Sequence, residues 1–390
     1  MGKPLAAVVL GAGLGGLSAG LALRSAGAEV SVFERADSLE SIQVGIGMVL
    51  WPNGMRALER LGVSRAVEGI GAPLESLDLY AASGKLLNRW EVGAINRDVG
   101  APSLALSRGE LHGVLADAFR AESTITFGAE GVDFTEDADG VTVQFEDGRM
   151  ELGDVLVGAD GIASGIRRRL TGKGPPDFPP YAGYTIWHSI VPFDRDAVRG
   201  GAFFLLFGRG SRVAYYRLDD ERVYWSGIGF VPAGSEGDIR KEEVLDFFRD
   251  YAPPVTELIE STAEADIQRH DIYGGETLGQ WGGGRVTLLG DAAHPMTTNL
   301  GQGAGMAIED GVVLGACLGR ASDPASGLRD YEARRMQRTS EMMELANRLN
   351  SSAALEGRVR TWVRNQMVSH LFQRGIGRDY EQFIRADVLG

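Results

Sequence analysis

The sequence predicts an α/β protein in which a parallel sheet is joined by an antiparallel sheet that forms a second domain or layer. Three observations carry this reading. The chain opens on a strand, a glycine-rich turn, a helix and a second strand; its middle alternates aromatic and branched residues; and near residue 290 a buried strand again runs into a glycine-rich helix start. With 390 residues, 44% hydrophobic and 24% charged, the chain is long enough for two or three domains.

The opening unit is the most informative. An apolar run, Leu5–Leu10, is short enough for one buried strand, and Gly11, Gly13 and Gly16 follow at G-x-G-x-x-G spacing. Helical periodicity continues through Leu17–Ser25, and a second apolar strand, Val30–Phe33, stops at Glu34. Each part of this order has a physical role in holding a dinucleotide. Gly11 permits the tight turn, Gly13 lets the backbone approach a pyrophosphate, and Gly16 lets helix and strand pack closely. The helix N-terminus offers free N–H groups and a positive dipole end to the phosphates. Glu34 lies 18 residues after Gly16, where a carboxylate can accept hydrogen bonds from a ribose.

Composition excludes several classes. Residues 5–23 carry no charge, but glycines at turn spacing and the early Glu29 argue against a signal peptide or membrane span. A net charge of -14 argues against nucleic acid as a partner, because phosphate neutralisation needs clustered positive charge. Cys317 is the single cysteine, so no intramolecular disulfide or multi-cysteine metal site is possible, and a cytoplasmic location is expected. His112, His188, His270, His294 and His370 are scattered without metal-binding spacing, so no metal is expected.

Along the chain, Val44-Gly45-Ile46-Gly47-Met48-Val49 offers glycines that let the backbone lie against a flat or phosphorylated ligand. A short helix over 54–61 follows, then a hairpin of Leu77–Tyr80 and Leu86–Trp90 around Ser83-Gly84. Ser107 with Glu110 reads as a capping box for a helix through Phe119, and Arg108 in its first turn is a candidate phosphate partner. Val141–Phe145 and the Asp147-Gly148 turn form another hairpin, leading into a buried strand, Asp154–Gly158, that ends GADG. Asp160 thus stands at the carboxyl end of a strand, in the crevice where nucleotide-binding sheets hold ligands. From Tyr181 to Phe230 an antiparallel sheet is predicted, carrying Trp187, His188, Arg212, Tyr215, Tyr216, Tyr224 and Trp225. One of its faces is a candidate substrate pocket.

The second decisive stretch is Val286–Asp310. Strand Val286–Leu289 delivers Gly290-Asp291, and Gly301-Gln302-Gly303-Ala304-Gly305 begins a helix, so two helix N-termini can hold one two-phosphate cofactor at both ends. Beyond it, Leu355–Arg374 carries Arg358, Arg360, Arg364 and Arg374 among Val359, Trp362, Val363 and Met367. A membrane or second-subunit contact is weighed there against a packed, partly solvated helix, and the packed helix is preferred.

The fingerprint at Gly11–Gly16, GADG with Arg167, and GDAAH followed by GQG resemble, in this order, the class A (single-component) FAD-dependent aromatic monooxygenases of the p-hydroxybenzoate, salicylate and urate hydroxylase type. Tyr331-Glu332 and Arg334 extend the likeness into the closing helices. The resemblance implies a Rossmann-like FAD-binding domain with an inserted antiparallel β-sheet substrate domain and a C-terminal helical segment. The domain parts are expected at 1–75, 105–175 and 276–325 for FAD, 76–104 and 176–275 for substrate, and 326–390 for the closing helices.

It also implies FAD as cofactor, NADPH or NADH as reductant, O2 as co-substrate, and insertion of one oxygen atom into an electron-rich aromatic or conjugated small molecule through a flavin C4a-hydroperoxide. Carried over residue by residue, Glu34 serves the adenosine ribose, Arg108 the pyrophosphate, Asp291 the ribityl chain and Gly301–Gly305 the isoalloxazine, with GADG tied to FAD and NAD(P)H. Leu14, Arg35, Gly47, Val49 and Asp160 complete the cofactor set. Arg212 and Tyr224 are candidates to orient or activate substrate, with His188 lining the pocket. The chain departs from the family pattern at Thr297-Thr298, where relatives commonly carry proline, and at His188, where many carry arginine. A monomer or homodimer is expected. The alternatives are a reductase or desaturase resembling geranylgeranyl reductases, and a non-catalytic FAD-binding protein. A flavin halogenase lacks its W-x-W-x-I-P motif here.

Overall fold

The structure, a computed structural model, describes residues 3–43, 45–194, 196–234 and 240–389; Val44, named above with its glycine-rich neighbours, lies outside them. Strand Ala6–Leu10 runs buried into the turn at Gly11 and then into helix Leu14–Ser25. That helix begins earlier than periodicity suggested, because Gly15 and Gly16 sit in its first turn. Strand Glu29–Phe33 returns parallel to the first. The sheet grows to six strands in the order Gly282–Gly283, Val286–Leu288, Val155–Gly158, Ala6–Leu10, Glu29–Phe33, Ile125–Thr126. All neighbours are parallel except the outer Gly282–Gly283 hairpin. Parallel strands end on one edge, so Leu10, Gly158 and Leu288 finish side by side. They deliver the fingerprint, GADG and GD loops to a single crevice.

The middle of the chain forms a seven-stranded sheet in the order Gln268–Tyr273, Tyr181–Pro192, Arg222–Gly229, Ser211–Arg217, Ala202–Phe207, Ser76–Ala81, Leu86–Trp90. Its strands are antiparallel except where Ala202–Phe207 lies beside Ser76–Ala81. Because side chains alternate along a strand, the aromatic set divides between two faces. Val213, Tyr215, Val223 and Trp225 pack with Phe248 and Leu258, from helices Lys241–Phe248 and Val255–Ser261. Phe207, Tyr216 and Tyr224 face the other way, onto Val49, Trp51 and Leu300. Two three-stranded sheets complete the fold, one of Gly131–Glu136, Val141–Phe145 and Met150–Gly153, the other of Gly47–Leu50, Ser103–Ser107 and Ala72–Leu74.

One local expectation is corrected. Ser107 precedes helix Arg108–Arg120, but its side chain makes no cap bond, and Glu110 instead pairs with Arg222 at 2.9 Å. The charge offered by the neighbouring sheet wins over the local capping motif. The helix Arg358–Leu371 is packed on one side and solvated on the other: Thr361 and Arg364 are buried and Val368 packs on the cluster of Trp90 and Phe207, while Val359, Trp362, Val363, Met367 and Leu371 are exposed. Among the described residues no helix is long and apolar enough to cross a membrane.

Candidate active site

The fingerprint turn is built from positions that admit no side chain and one that faces open space. Gly11 adopts φ +102°, and a Cβ there would lie 2.2 Å from the Ala159 carbonyl oxygen; one on Gly16 would lie 1.9 Å from the Gly11 oxygen. Around Gly13, by contrast, a Cβ would meet nothing within 4 Å, so the backbone is bare towards the crevice. Glu34 is buried and accepts hydrogen bonds from the backbone N–H of Ala12 (2.8 Å) and Ala36 (2.9 Å), so it also splints the turn. From the opposite side His112 places Nε2 2.6 Å from the Ala12 carbonyl, to which it donates, and its Nδ1 is buried without a partner. Burial lowers the His112 pKa and keeps the ring neutral. Sequence reasoning missed His112, although its place one turn after Arg108 was a usable signal. Leu14 is buried in the first helical turn and Arg35 is exposed beside Glu34.

The neighbouring loops add charge. Burial raises the Asp160 carboxyl; its Oδ2 accepts from Ile166 N at 3.2 Å, while Oδ1 is buried and unpartnered. Arg167 is fully buried and donates to the carbonyls of Lys173 (3.2 Å), Ala292 (3.1 Å) and Ile162 (2.5 Å). It therefore bolts the GADG loop to the GDAAH loop. Asp291 is reached by solvent yet crowded by protein, which raises its carboxyl against the pull of His294, Arg108 and Arg167. Burial likewise lowers the Arg108 guanidinium, with Asp291 opposing.

The GQG segment rests on a charged network that the sequence did not reveal. Gly301 is left-handed at φ +62°, and helix Gly303–Leu318 starts without a side-chain cap, with open space around Gly303. Beneath it, Asp310 accepts from Gly290 N (3.0 Å), His294 Nε2 (2.5 Å) and Arg335 Nε (2.5 Å). Glu309 accepts from Arg335 (2.7 Å), twice from Arg338 (2.9 Å each) and from Asn53 Nδ2 (2.7 Å). Asn53 continues to Gln302 (3.1 Å), whose Nε2 donates to the Tyr380 hydroxyl at 3.0 Å. Burial alone would raise the Asp310 carboxyl, but His294 and Arg335 hold it down at about 2. One buried cluster thus fixes both the GD and GQG loops. Two adjacent acids in a helix, with arginines a few turns into the next, were its faint trace in the sequence.

Over this floor lies the face of the seven-stranded sheet that carries His188, Arg212 and Tyr224. Tyr224 packs directly on Gly47, where a Cβ would come within 2.3 Å of the ring, and Val49 is buried nearby. His188 sits 5.9 Å from the Tyr224 ring and stacks on His270 at 5.2 Å, centroid to centroid. Its Nδ1 is buried and unpartnered, and burial, with help from His270, lowers its pKa to about 3. Burial raises the Tyr224 phenol. Arg212 stands further along the same face, opposite Ile228 whereas Tyr224 opposes Tyr216, and donates to Asn299 Oδ1. Thr298 N donates to the Tyr184 hydroxyl (3.1 Å), and Asn299 Nδ2 donates to Thr297 Oγ1 (3.0 Å). The threonines standing in place of proline therefore tie the loop before GQG to the sheet. Tyr184 and Asn299 were not singled out from sequence.

Bare backbone at Gly13 and Gly303, two helix starts without side-chain caps, and an unpartnered Asp160 oxygen suit an extended dinucleotide lying across the crevice. With a second sheet set over the same loops, they fit an FAD-binding oxidoreductase. The model of the FAD binding domain family matches residues 5–346. The chain is 34% identical over 365 residues to an aurachin C monooxygenase/isomerase of Stigmatella aurantiaca, covering 93% of this chain and 94% of that protein. It is 34% identical over 340 residues to an FAD-dependent urate hydroxylase of Klebsiella pneumoniae, covering 86% and 87%. The crystal structure of Klebsiella pneumoniae HpxO complexed with FAD and uric acid superposes with a TM-score of 0.91 at 32% identity, covering 99% of this chain and 98% of that one. The chain belongs to the FAD-dependent aromatic monooxygenase family, and is an enzyme that uses FAD, a nicotinamide reductant and O2. The reductase and non-catalytic readings find no support.

Proposed function

We propose that this enzyme hydroxylates or epoxidises an electron-rich aromatic or conjugated small molecule held against the sheet face carrying His188, Arg212 and Tyr224, beside the loop that precedes GQG. The observation that supports this most is that these three side chains share one face of the sheet, the face turned to the GQG loop. Bound FAD supplies hydride acceptance from NADPH or NADH and activation of O2. The chain's own groups bind, orient and exclude water. Gly11–Gly16 and Gly301–Gly305 hold the cofactor with Leu14, Glu34, Arg35, Gly47, Val49, Arg108, Asp160 and Asp291 around it.

Arg212 is a buried cation whose position Asn299 sets. A cation there favours the ionised form of a phenol or enol hydroxyl, which enriches the ring for electrophilic attack. With its phenol raised, Tyr224 stays protonated at neutral pH and serves as a hydrogen-bond donor rather than a base. His188 stays neutral and lines the wall, which suits a substrate without a carboxylate at that point. We further assign the protein to the cytoplasm as a monomer or homodimer, with the domain parts divided as the sequence suggests.

The test is a panel of hydroxylated aromatics, including urate and 3-hydroxybenzoate, offered with NADPH or NADH under 18O2. A substrate that stimulates nicotinamide oxidation and gains one labelled oxygen supports the reading. Arg212→Gln should then raise KM on the order of 10–100-fold, the loss of a charge-assisted contact. Peroxide as sole product across the panel, or an unchanged KM in the variant, defeats it.

A further inference from the structure

The helix Arg358–Leu371 stands apart from the site. Val359 is 75% exposed, Trp362 61%, Met367 56%, Leu371 50% and Val363 43%, so one element holds five of the large exposed apolar residues of the described chain. At helical spacing, Val359, Trp362, Val363 and Met367 line its outer face, with Gln366 and His370 among them, while Thr361 and Arg364 point inward. Arg358 borders the apolar stripe on one side, beside Trp362, and Arg360 on the other, beside Met367. Between Glu356 and Asp379 the sequence contains no acid but five arginines, at 358, 360, 364, 374 and 378, in a chain whose net charge is -14. Arg358, Arg360 and Arg374 are exposed and have no ion-pair partner among the described residues.

We propose that this face rests on an anionic lipid surface, the helix lying in the headgroup plane with its apolar stripe inserted and Arg358, Arg360 and Arg374 on phosphates. An apolar face of this kind, bordered by arginine, is how helices too short to span a bilayer bind its interface. A second copy of the chain fits less well. A two-fold contact lays the patch on itself, and this patch carries arginine with no acid to answer it. The aromatic Trp362 at the edge of the stripe suits the wet–apolar boundary. The docking would hold the enzyme at a membrane without a spanning segment.

The experiment is co-sedimentation of the FAD-loaded enzyme with phosphatidylcholine vesicles, with and without phosphatidylglycerol. We expect partition at least tenfold higher onto the anionic vesicles, falling as salt is raised. Each arginine near such a surface contributes roughly fivefold, so Arg358→Glu with Arg360→Glu should lose at least tenfold. Trp362→Ser with Met367→Ser should lose a similar factor, and both variants should keep their flavin absorbance because the four side chains changed are exposed on the outer face of the helix. Equal partition onto both vesicle types, binding to neither, or full binding by both variants overturns the proposal. So does a concentration-dependent dimer that Trp362→Ser with Met367→Ser abolishes, since that makes the face a self-association surface.

Discussion

His188 makes the protein's stability depend on pH through one buried ring. It is 1% exposed, faces Tyr224, His270, Ser226 and Gln268, and leaves Nδ1 without a partner. Its pKa is lowered from 6.5 to about 3. Between those values the unfolded chain binds a proton that the folded chain refuses, so stability is full above pH 6.5 and is lost as pH falls below it. Moving from pH 7 to pH 5 costs about 2 kcal/mol through this ring alone. A chain of 390 residues has an unfolding entropy of roughly 0.8 kcal/mol/K, so the loss is about 2–3 °C in Tm. His188→Gln removes the titrating group while keeping a polar side chain of similar size. Thermal melts of both proteins at pH 7 and pH 5 should show the variant losing about 2–3 °C less than the parent. Identical pH slopes would mean that the folded protein accommodates the imidazolium, and the account of a dry, neutral pocket wall would fail.

Two further tests address the cofactor crevice. Arg335→Met leaves Glu309 and Asp310 buried with only part of their counter-charge, which should cost on the order of 3–5 kcal/mol, read as a fall in Tm. The parent, whose Asp310 is held at about 2, should keep that network intact above pH 4 and lose it only as pH drops towards 2. A Tm unmoved in the variant would show that the network contributes nothing net. The two fingerprint glycines should fail differently. Gly16→Ala collides with the Gly11 carbonyl and should lower the melting temperature of the apoprotein, whereas Gly13→Ala meets no protein atom and should leave it unchanged while weakening FAD binding, as followed by flavin fluorescence. Equal effects on apoprotein stability would remove the distinction.

Much of this protein was legible from residue order. The Gly11–Gly16 spacing, the buried strands ending at Glu34, GADG and Gly290-Asp291, and the alternation through Tyr181–Phe230 are local patterns. Each is dictated by backbone sterics or by a side-chain period of two, and the strands followed within a residue or two. The capping box at Ser107 and Glu110 was legible too, and it misled, because the counter-ion that claims Glu110 is Arg222, remote in sequence. His112, Tyr184, Asn299 and the Glu309–Arg335 cluster were hidden for the same reason: each acts through a partner that only folding brings near.

The chain's own order is enough to point to a bound dinucleotide and to the loops proposed to hold it, since a tight turn at a strand end needs glycine wherever the rest of the chain lies. Which face of the second sheet turns towards the glycine-rich loops is decided only in three dimensions. Alternation puts His188, Arg212 and Tyr224 on one side and Trp225 on the other, but the choice of side belongs to packing. Phe248 and Leu258 cover the Trp225 face, and Val49, Trp51 and Leu300 meet the Tyr224 face. Burial then follows from that packing, and burial is what keeps the ring of His188 neutral and the phenol of Tyr224 protonated.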